Sequence, residues 1–251
     1  MTRKSILSHE ASTAAWETYQ TSLLGSEGRR RCPEFELKKY CIGHLPAETS
    51  QSLRAAVESS PRELFKPDAI DPRAIATALD KQTVSRLNDE HIYLRFEGRQ
   101  IWALHGLCEY LREPVATILG GNWRVLNVRA WITPTRAGIN FGPNAWHIDG
   151  DAAGIFKIMV YLTEIGGDLG GLEIREKDGA ETSITGPPGT WVCFYNSELM
   201  HRGVAPSRPD ASRTAVELTI SRWPKMVSRP ILIGQNARHP YFPLLHGPES
   251  L

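Results

Sequence analysis

Hydrophobic positions along this chain follow two different periods. Up to residue 121 they recur every three or four residues, the spacing of an amphipathic helix. "HEASTAAWETYQTSLL" (9–24) predicts a first helix that stops at Gly25, and "ETSQSLRAAVESSPRELF" (48–65) a second, following Pro46. "IWALHGLCEYLREPVATILGG" (101–121) predicts a third, kinked or broken near Pro114 and closed by Gly120 and Gly121. After Gly121 the period drops to two and β-formers take over. "NWRVLNVRAWIT", "GIFKIMVYLTEI", "GGLEIRE", "TWVCFYN" and "RTAVELTISRW" read as strands, separated by turns such as "GGDLGG" and "GPPG". Short strands this close together predict an antiparallel sandwich or barrel, not βαβ units. The chain is thus expected to be one domain over 1–251: mainly helical support over 1–121, a double-stranded barrel over 122–223, and an irregular Pro-rich tail over 224–251.

Composition narrows the field by exclusion. The 251 residues are 41% hydrophobic and 23% charged, as in an ordinary globular protein with a sizeable core. A formal net charge of +1 gives no field that would attract nucleic acid or an acidic membrane, and Arg29, Arg30 and Arg31 are too few for a binding patch. Cys32, Cys41, Cys108 and Cys193 form no C-x-x-C pair, so neither a zinc knuckle nor a redox motif is indicated, and reduced thiols in the cytoplasm are expected. The first residues, "MTRKSILSHE", show no apolar run of a signal peptide or membrane span. Oligomeric state is not legible. The "GGDLGG" glycines are expected to form a turn, because no helix follows that would cradle a phosphate.

Candidate chemistry starts at "NAWHIDGD" (144–151). Residues two apart on a strand point the same way, so His147 and Asp149 would send an imidazole and a carboxylate into one cavity. A second histidine, His201, follows the strand "TWVCFYN". Two histidines and one carboxylate on a barrel are the facial donor set of non-haem Fe(II) oxygenases. Arg213 opens the strand "RTAVELTI", where a buried guanidinium could bind a carboxylate bidentately. In "GIFKIMVYLTEI", Phe156, Ile158, Val160 and Leu162 make the better face towards the helices. That parity turns Lys157, Met159 and Tyr161 into the barrel; a shift of one would make Lys157 a solvated surface residue. In "NWRVLNVRAWIT", Val125, Asn127, Arg129 and Trp131 share a face. Trp146 either walls the pocket or packs behind it, and Glu217 lies on the face of Arg213.

The pattern H-x-D, about fifty residues, H, about eleven residues, R resembles the Fe(II)/2-oxoglutarate-dependent dioxygenases. The resemblance covers residues 123–223 and rests on "WHIDGD", "KIMVYLTEIGGDLGGLEI", "GPPGTWVCFYNSELMHRG" and "SRTAVELTISRW". With the helical first half and the arginine, it is similar first to the phytanoyl-CoA dioxygenase-like branch. The prolyl hydroxylase-like enzymes come second; some of those have lysine where this chain has Arg213. The resemblance implies a double-stranded β-helix (a jelly roll, cupin-like) faced by N-terminal helices. It implies Fe(II) bound by His147, Asp149 and His201. It further implies 2-oxoglutarate with its distal carboxylate on Arg213 and Tyr161, Asn127 and Arg129 near the cosubstrate or substrate, and O2 as oxidant. Lys157, Trp146 and Glu217 are candidates for contact with a small, polar substrate. Asp149 stands where halogenating relatives have Gly or Ala, so hydroxylation or another C–H oxidation with release of succinate and CO2 is favoured, in natural-product tailoring or catabolism. Ala215 replaces the Ser or Thr of the R-x-S branch. Two rival readings are a hydroxylase of protein side chains, such as prolyl, and a non-catalytic cupin-like metal- or sugar-binding module.

Overall fold

The computed structural model describes residues 32–60, 62–63, 92–94, 99–121, 123–135, 142–151, 154–222, 231–233 and 237–239. The helix expected over 9–24 and the run Arg29–Arg31 lie outside them. Helix α1 is Pro33–Lys38, with Pro at its first position, Glu34 and Glu36 in the first turn and Lys38 in the last, each on the side the helix dipole favours. Strand β1 (Tyr40–His44) follows, then α2 (Ala47–Glu58), which buries Leu53 and Val57 one turn apart. The second predicted helix therefore ends earlier than expected. Arg62–Glu63 is instead strand β2, paired with β3 (Ile92–Leu94).

Helix α3 (Arg99–Leu119) continues through Pro114, so of the expected kink or break there is no break. Pro114 removes the N–H that would reach the carbonyl of Tyr110. Tyr110 lies on the exposed side of the helix, where water can serve that carbonyl, while Leu104, Leu107, Leu111 and Val115 stay packed on the other face. No helix among the described residues is long and apolar enough to cross a membrane.

The β part forms two sheets. The major sheet has the order β1-β8-β5-β10-β4-β11-β12, with β3 also on β4. Its further strands are β4 (Arg124–Pro134), β5 (Ile155–Tyr161), β8 (Thr190–Phe194), β10 (Ser212–Ser221), β11 (Ile231–Ile233) and β12 (Ala237–His239). The minor sheet is β7-β6-β9, built from β6 (Gly171–Arg175), β7 (Glu181–Ser183) and β9 (Met200–Val204). Two expectations need correction. The helical support also contributes β1, an edge of the major sheet, and the tail expected to be irregular contributes β11 and β12. In both places a neighbouring strand offers backbone partners that a local reading of the sequence cannot see.

Each face of the major sheet has its own core. Phe156, Ile158, Val160, Leu162, Cys193, Val216, Leu218 and Ile220 pack against Phe35, Leu53, Leu104, Leu107 and Leu111 of the helices. Met159, Tyr161, Val192, Phe194, Trp131 and Ala215 pack against Leu172, Ile174 and Ile184 of the minor-sheet side. The predicted parity of β5 holds. That of β4 fails at one residue. Thr219 faces Asn127 but Ile220 faces Val125, so Leu126 is a bulge that turns Val125 towards the helices, away from the face of Asn127, Arg129 and Trp131.

"GGDLGG" is a turn, as expected, with a short 3-10 segment at Gly167–Leu169. Gly170 is required there: its φ is +68°, and a Cβ would lie 2.2 Å from the Val204 carbonyl oxygen.

Candidate metal and dicarboxylate site

The inner face of the major sheet carries cross-strand rows fixed by register. Asn127, Thr219, Lys157 and Phe194 form one; Arg129, Glu217, Met159 and Val192 the next; Trp131, Ala215 and Tyr161 a third; and Thr133 with Arg213 the last. The polar side chains of these rows meet a segment that closes over the edge of the minor sheet.

His147 is not within a strand, as the two-residue argument assumed. It forms a single antiparallel bridge with His201 of β9: His147 N–H donates to the His201 carbonyl at 3.0 Å, and His201 N–H to that of His147 at 2.9 Å. Asp149 follows in irregular backbone whose N–H donates to the Asn196 carbonyl at 3.0 Å. The outcome is nonetheless the expected one. His147, Asp149 and His201 each present one donor atom, all within 4.8 Å of one another. Nε2 of His147 lies 3.8 Å from Asp149 Oδ1, and Nε2 of His201 lies 3.6 Å from Oδ2.

The surroundings prepare these donors for a cation. Nδ1 of His147 is 2.8 Å from the Ala145 carbonyl and Nδ1 of His201 is 2.8 Å from that of Leu199. A carbonyl only accepts, so Nδ1 carries the proton in each ring and Nε2 keeps its lone pair facing the other donors. Burial holds the His201 pKa down at about 4, so this imidazole is neutral through the physiological range. Asp149 Oδ2 accepts from Asn196 Nδ2 at 3.0 Å and pairs with Lys157 Nζ at 2.7 Å. Burial alone would raise its pKa; the Lys157 ammonium outweighs that and holds the carboxyl below its usual range.

Lys157 is therefore inside the barrel, as its parity predicts, and its Nζ also lies 3.5 Å from Glu217 Oε2. Burial opposes its charge, but Glu217 and Asp149 prevail and raise its pKa. Glu217 receives Arg129 on Oε1, through Nε at 3.0 Å and through Nη2. Burial is again outweighed, by Arg129 first and Lys157 next, and the Glu217 pKa falls to about 2. Both oxygens of Glu217 are thus engaged within the protein, and Arg129 is paired with Glu217. Asn127 lies on the same face, with its Oδ1 buried and without a hydrogen-bond partner.

Arg213 differs from the other buried cations. It is 4% exposed, and the groups acting on its charge are its own burial, which lowers its pKa, and Tyr161. Its Nη1 donates to the carbonyls of Val204 and of Gly171, the latter at 3.3 Å, while Nε is buried without a partner. The guanidinium lies 5.9 Å from the centroid of the Tyr161 ring, whose hydroxyl burial raises to about 12. A buried cation with an unsatisfied Nε donor and no carboxylate partner among the described residues fits a carboxylate ligand. Val204 is three residues along β9 from His201, which at about 3.3 Å per residue puts Arg213 roughly 10 Å from the histidine backbone. A metal at the triad and an anion at Arg213 are thus within reach of one short dicarboxylate.

Trp146 does not wall the cavity. Its ring lies against the guanidinium groups of Arg175 and Arg202, 4.3 and 4.6 Å from its centroid, on the outer side of the minor sheet. Among the described residues the sequence reading missed Asn196, whose side chain holds both Asp149 and, at 2.6 Å, Asp151. Its position after the strand "TWVCFYN" carries no one-dimensional link to residue 149.

No protein-family model matches the sequence, and neither does any curated protein. Solved structures do. The non-haem α-ketoglutarate-dependent carbocyclase SnoK from nogalamycin biosynthesis superposes with a TM-score of 0.54 at 12% identity, over 74% of this chain and 81% of its own. The non-haem α-ketoglutarate-dependent epimerase SnoN of the same biosynthesis gives 0.52 at 12%, over 74% and 78%. EctD from S. alaskensis with bound Fe gives 0.52 at 18%, over 74% and 74%. With β4, β5, β8 and β10 facing β6, β7 and β9, this chain has the jelly-roll fold of the non-haem iron and 2-oxoglutarate-dependent enzymes.

Proposed function

We propose that the protein is an Fe(II)- and 2-oxoglutarate-dependent oxygenase that oxidises, most simply by hydroxylation, a C–H bond of a small polar molecule. The observation that carries this reading is the pairing of a three-donor His-Asp-His cluster with a buried arginine whose Nε is unpartnered and which has no carboxylate partner among the described residues. The donor set suits a divalent metal that keeps positions open, and the fork of Arg213 suits a carboxylate. When bound, iron and 2-oxoglutarate supply an oxidising equivalent from O2, with succinate and CO2 as co-products.

The chain's own residues do the positioning. His147 and His201 present Nε2 to the metal because Nδ1–H is held by a carbonyl in each. Lys157 and Asn196 hold Asp149, with Asp151 sharing the amide of Asn196. Arg213, beside Tyr161, takes the far carboxylate of the cosubstrate. Arg129 pairs with Glu217, Glu217 with Lys157 and Lys157 with Asp149, so this chain of ion pairs lines the inner face beside the donors. The structural neighbours include an epimerase and a carbocyclase, so the fold accommodates more than one outcome. Two of them belong to nogalamycin biosynthesis, which supports a natural-product role; the four free thiols suit the cytoplasm.

Anaerobic titration of the purified protein with Fe(II) and then 2-oxoglutarate tests the reading. A visible metal-to-ligand charge-transfer band should appear and should be absent in His201→Ala. Iron binding without the band would reject the cosubstrate, and no iron binding would reject the triad.

A further inference from the structure

The segment carrying His147 is attached to the minor sheet on both of its faces. Inside, the two backbone hydrogen bonds of the His147–His201 bridge bring the imidazole centroids to 4.3 Å. Outside, the neighbours of those same residues meet: Trp146 precedes His147, Arg202 follows His201, and the Arg202 guanidinium stacks on the indole. Side chains alternate across a strand, so inward histidines require outward neighbours. The outer contact is built rather than incidental. Arg202 is held by Glu173 Oε2 at 2.7 Å from Nε and 2.6 Å from Nη2, and Arg175 by Glu181 Oε1 at 3.1 and 2.6 Å. Register sets Glu173 opposite Arg202 and Arg175 opposite Glu181, so both guanidinium groups are fixed by the sheet itself. The Trp146 ring lies against both.

We propose that Trp146 is a positioning residue for the metal site. The cation–π clamp Arg175–Trp146–Arg202 holds the His147 segment in the register that makes the donor cluster. The inference rests on the metal reading given above. Without the clamp His147 itself is secured by two backbone hydrogen bonds near a sheet edge, with the next anchor at Asp149 on Asn196, and a binding metal must first order the His147 end of the segment. The loss then appears in metal affinity, because preorganisation has been removed. A tryptophan that merely packs would affect stability and leave the donors where they are.

The test uses the full chain, freed of metal, with Co(II) as the probe under anaerobic conditions. Trp146→Leu keeps an apolar side chain and removes the π face; Trp146→Phe keeps a face. Trp146→Leu should weaken Co(II) binding about tenfold, close to 1.4 kcal/mol, and alter the ligand-field absorption. Hydrogen exchange at the His147 and His201 amides should quicken at least about tenfold, with the Ile158 and Val216 amides unchanged. Trp146→Phe should recover most of each effect. Arg202→Met, which keeps the aliphatic stem, should reproduce the loss and replaces Trp146→Leu if that variant does not fold. Affinity within about twofold of wild type, with unchanged absorption and protection, overturns the clamp while leaving the metal reading intact. Failure of the wild type to bind Co(II) overturns both.

Discussion

Replacing Glu217 by Gln keeps its shape and removes its charge, so the variant imitates a permanently protonated Glu217. The carboxyl is lowered from an ordinary 4.5 to about 2 by Arg129 and Lys157 acting against its burial. At 1.36 kcal/mol for each pKa unit, that corresponds to about 3 kcal/mol of folding stability at pH 7. The pH dependence has a definite sign. Above 4.5 the carboxyl is ionised in both folded and unfolded chains and the full contribution is present. As pH falls below 4.5 the unfolded chain takes up the proton first, and the contribution declines until the folded carboxyl also protonates near 2. Urea unfolding of wild type and Glu217→Gln should thus give a difference of about 3 kcal/mol that is flat from pH 7 to pH 5, and about 2 kcal/mol at pH 3.5. Arg129 and Lys157, left without their shared anion, give the variant its penalty. A difference below about 0.5 kcal/mol, or one that does not change between pH 5 and pH 3.5, would refute the reasoning.

Arg213→Met should raise the apparent KM for 2-oxoglutarate well beyond tenfold, since charge-assisted hydrogen bonds contribute about 1.5–3 kcal/mol each; a change below about twofold would place that carboxylate elsewhere. Gly170→Ala puts a Cβ 2.2 Å from a backbone oxygen at φ +68° and should cost about 3 kcal/mol, a fall in Tm of roughly 6–12 °C by calorimetry. A fall of less than about 2 °C would mean that the turn rearranges at little cost.

What the sequence discloses follows from which signals are local. The two-residue alternation of β5 places Lys157 inside correctly, because every residue from Ile155 to Tyr161 is regular strand. The same rule fails in β4, because the bulge at Leu126 is decided by how β10 pairs with it, and nothing in "RVLNV" marks the extra residue. His147 and Asp149 converge as expected but for a different reason: a bridge to His201 and a bond to Asn196, both about fifty residues away, do what a continuous strand was expected to do. The want of a carboxylate partner for Arg213 among the described residues and the outward turn of Trp146 are equally long-range. Residue type and spacing nominate such side chains, but only the packed sheets decide which cations find partners and which remain open.

Strand order has a bearing on how the chain matures. β10 lies between β4 and β5, so these two strands, consecutive in the major sheet's chain order, are each paired with a strand made after both. β1, the earliest described strand, likewise pairs with β8, some 150 residues on. At the usual 5–20 residues per second of synthesis, β4 waits roughly 4–17 s for β10 to be made. During that interval its apolar positions and backbone groups have no native strand partner on that side, and a nascent chain in this condition is a natural client for chaperones. Arg213 lies on the strand that ends the wait, so its buried guanidinium reaches its place when β10 joins β4 to β5.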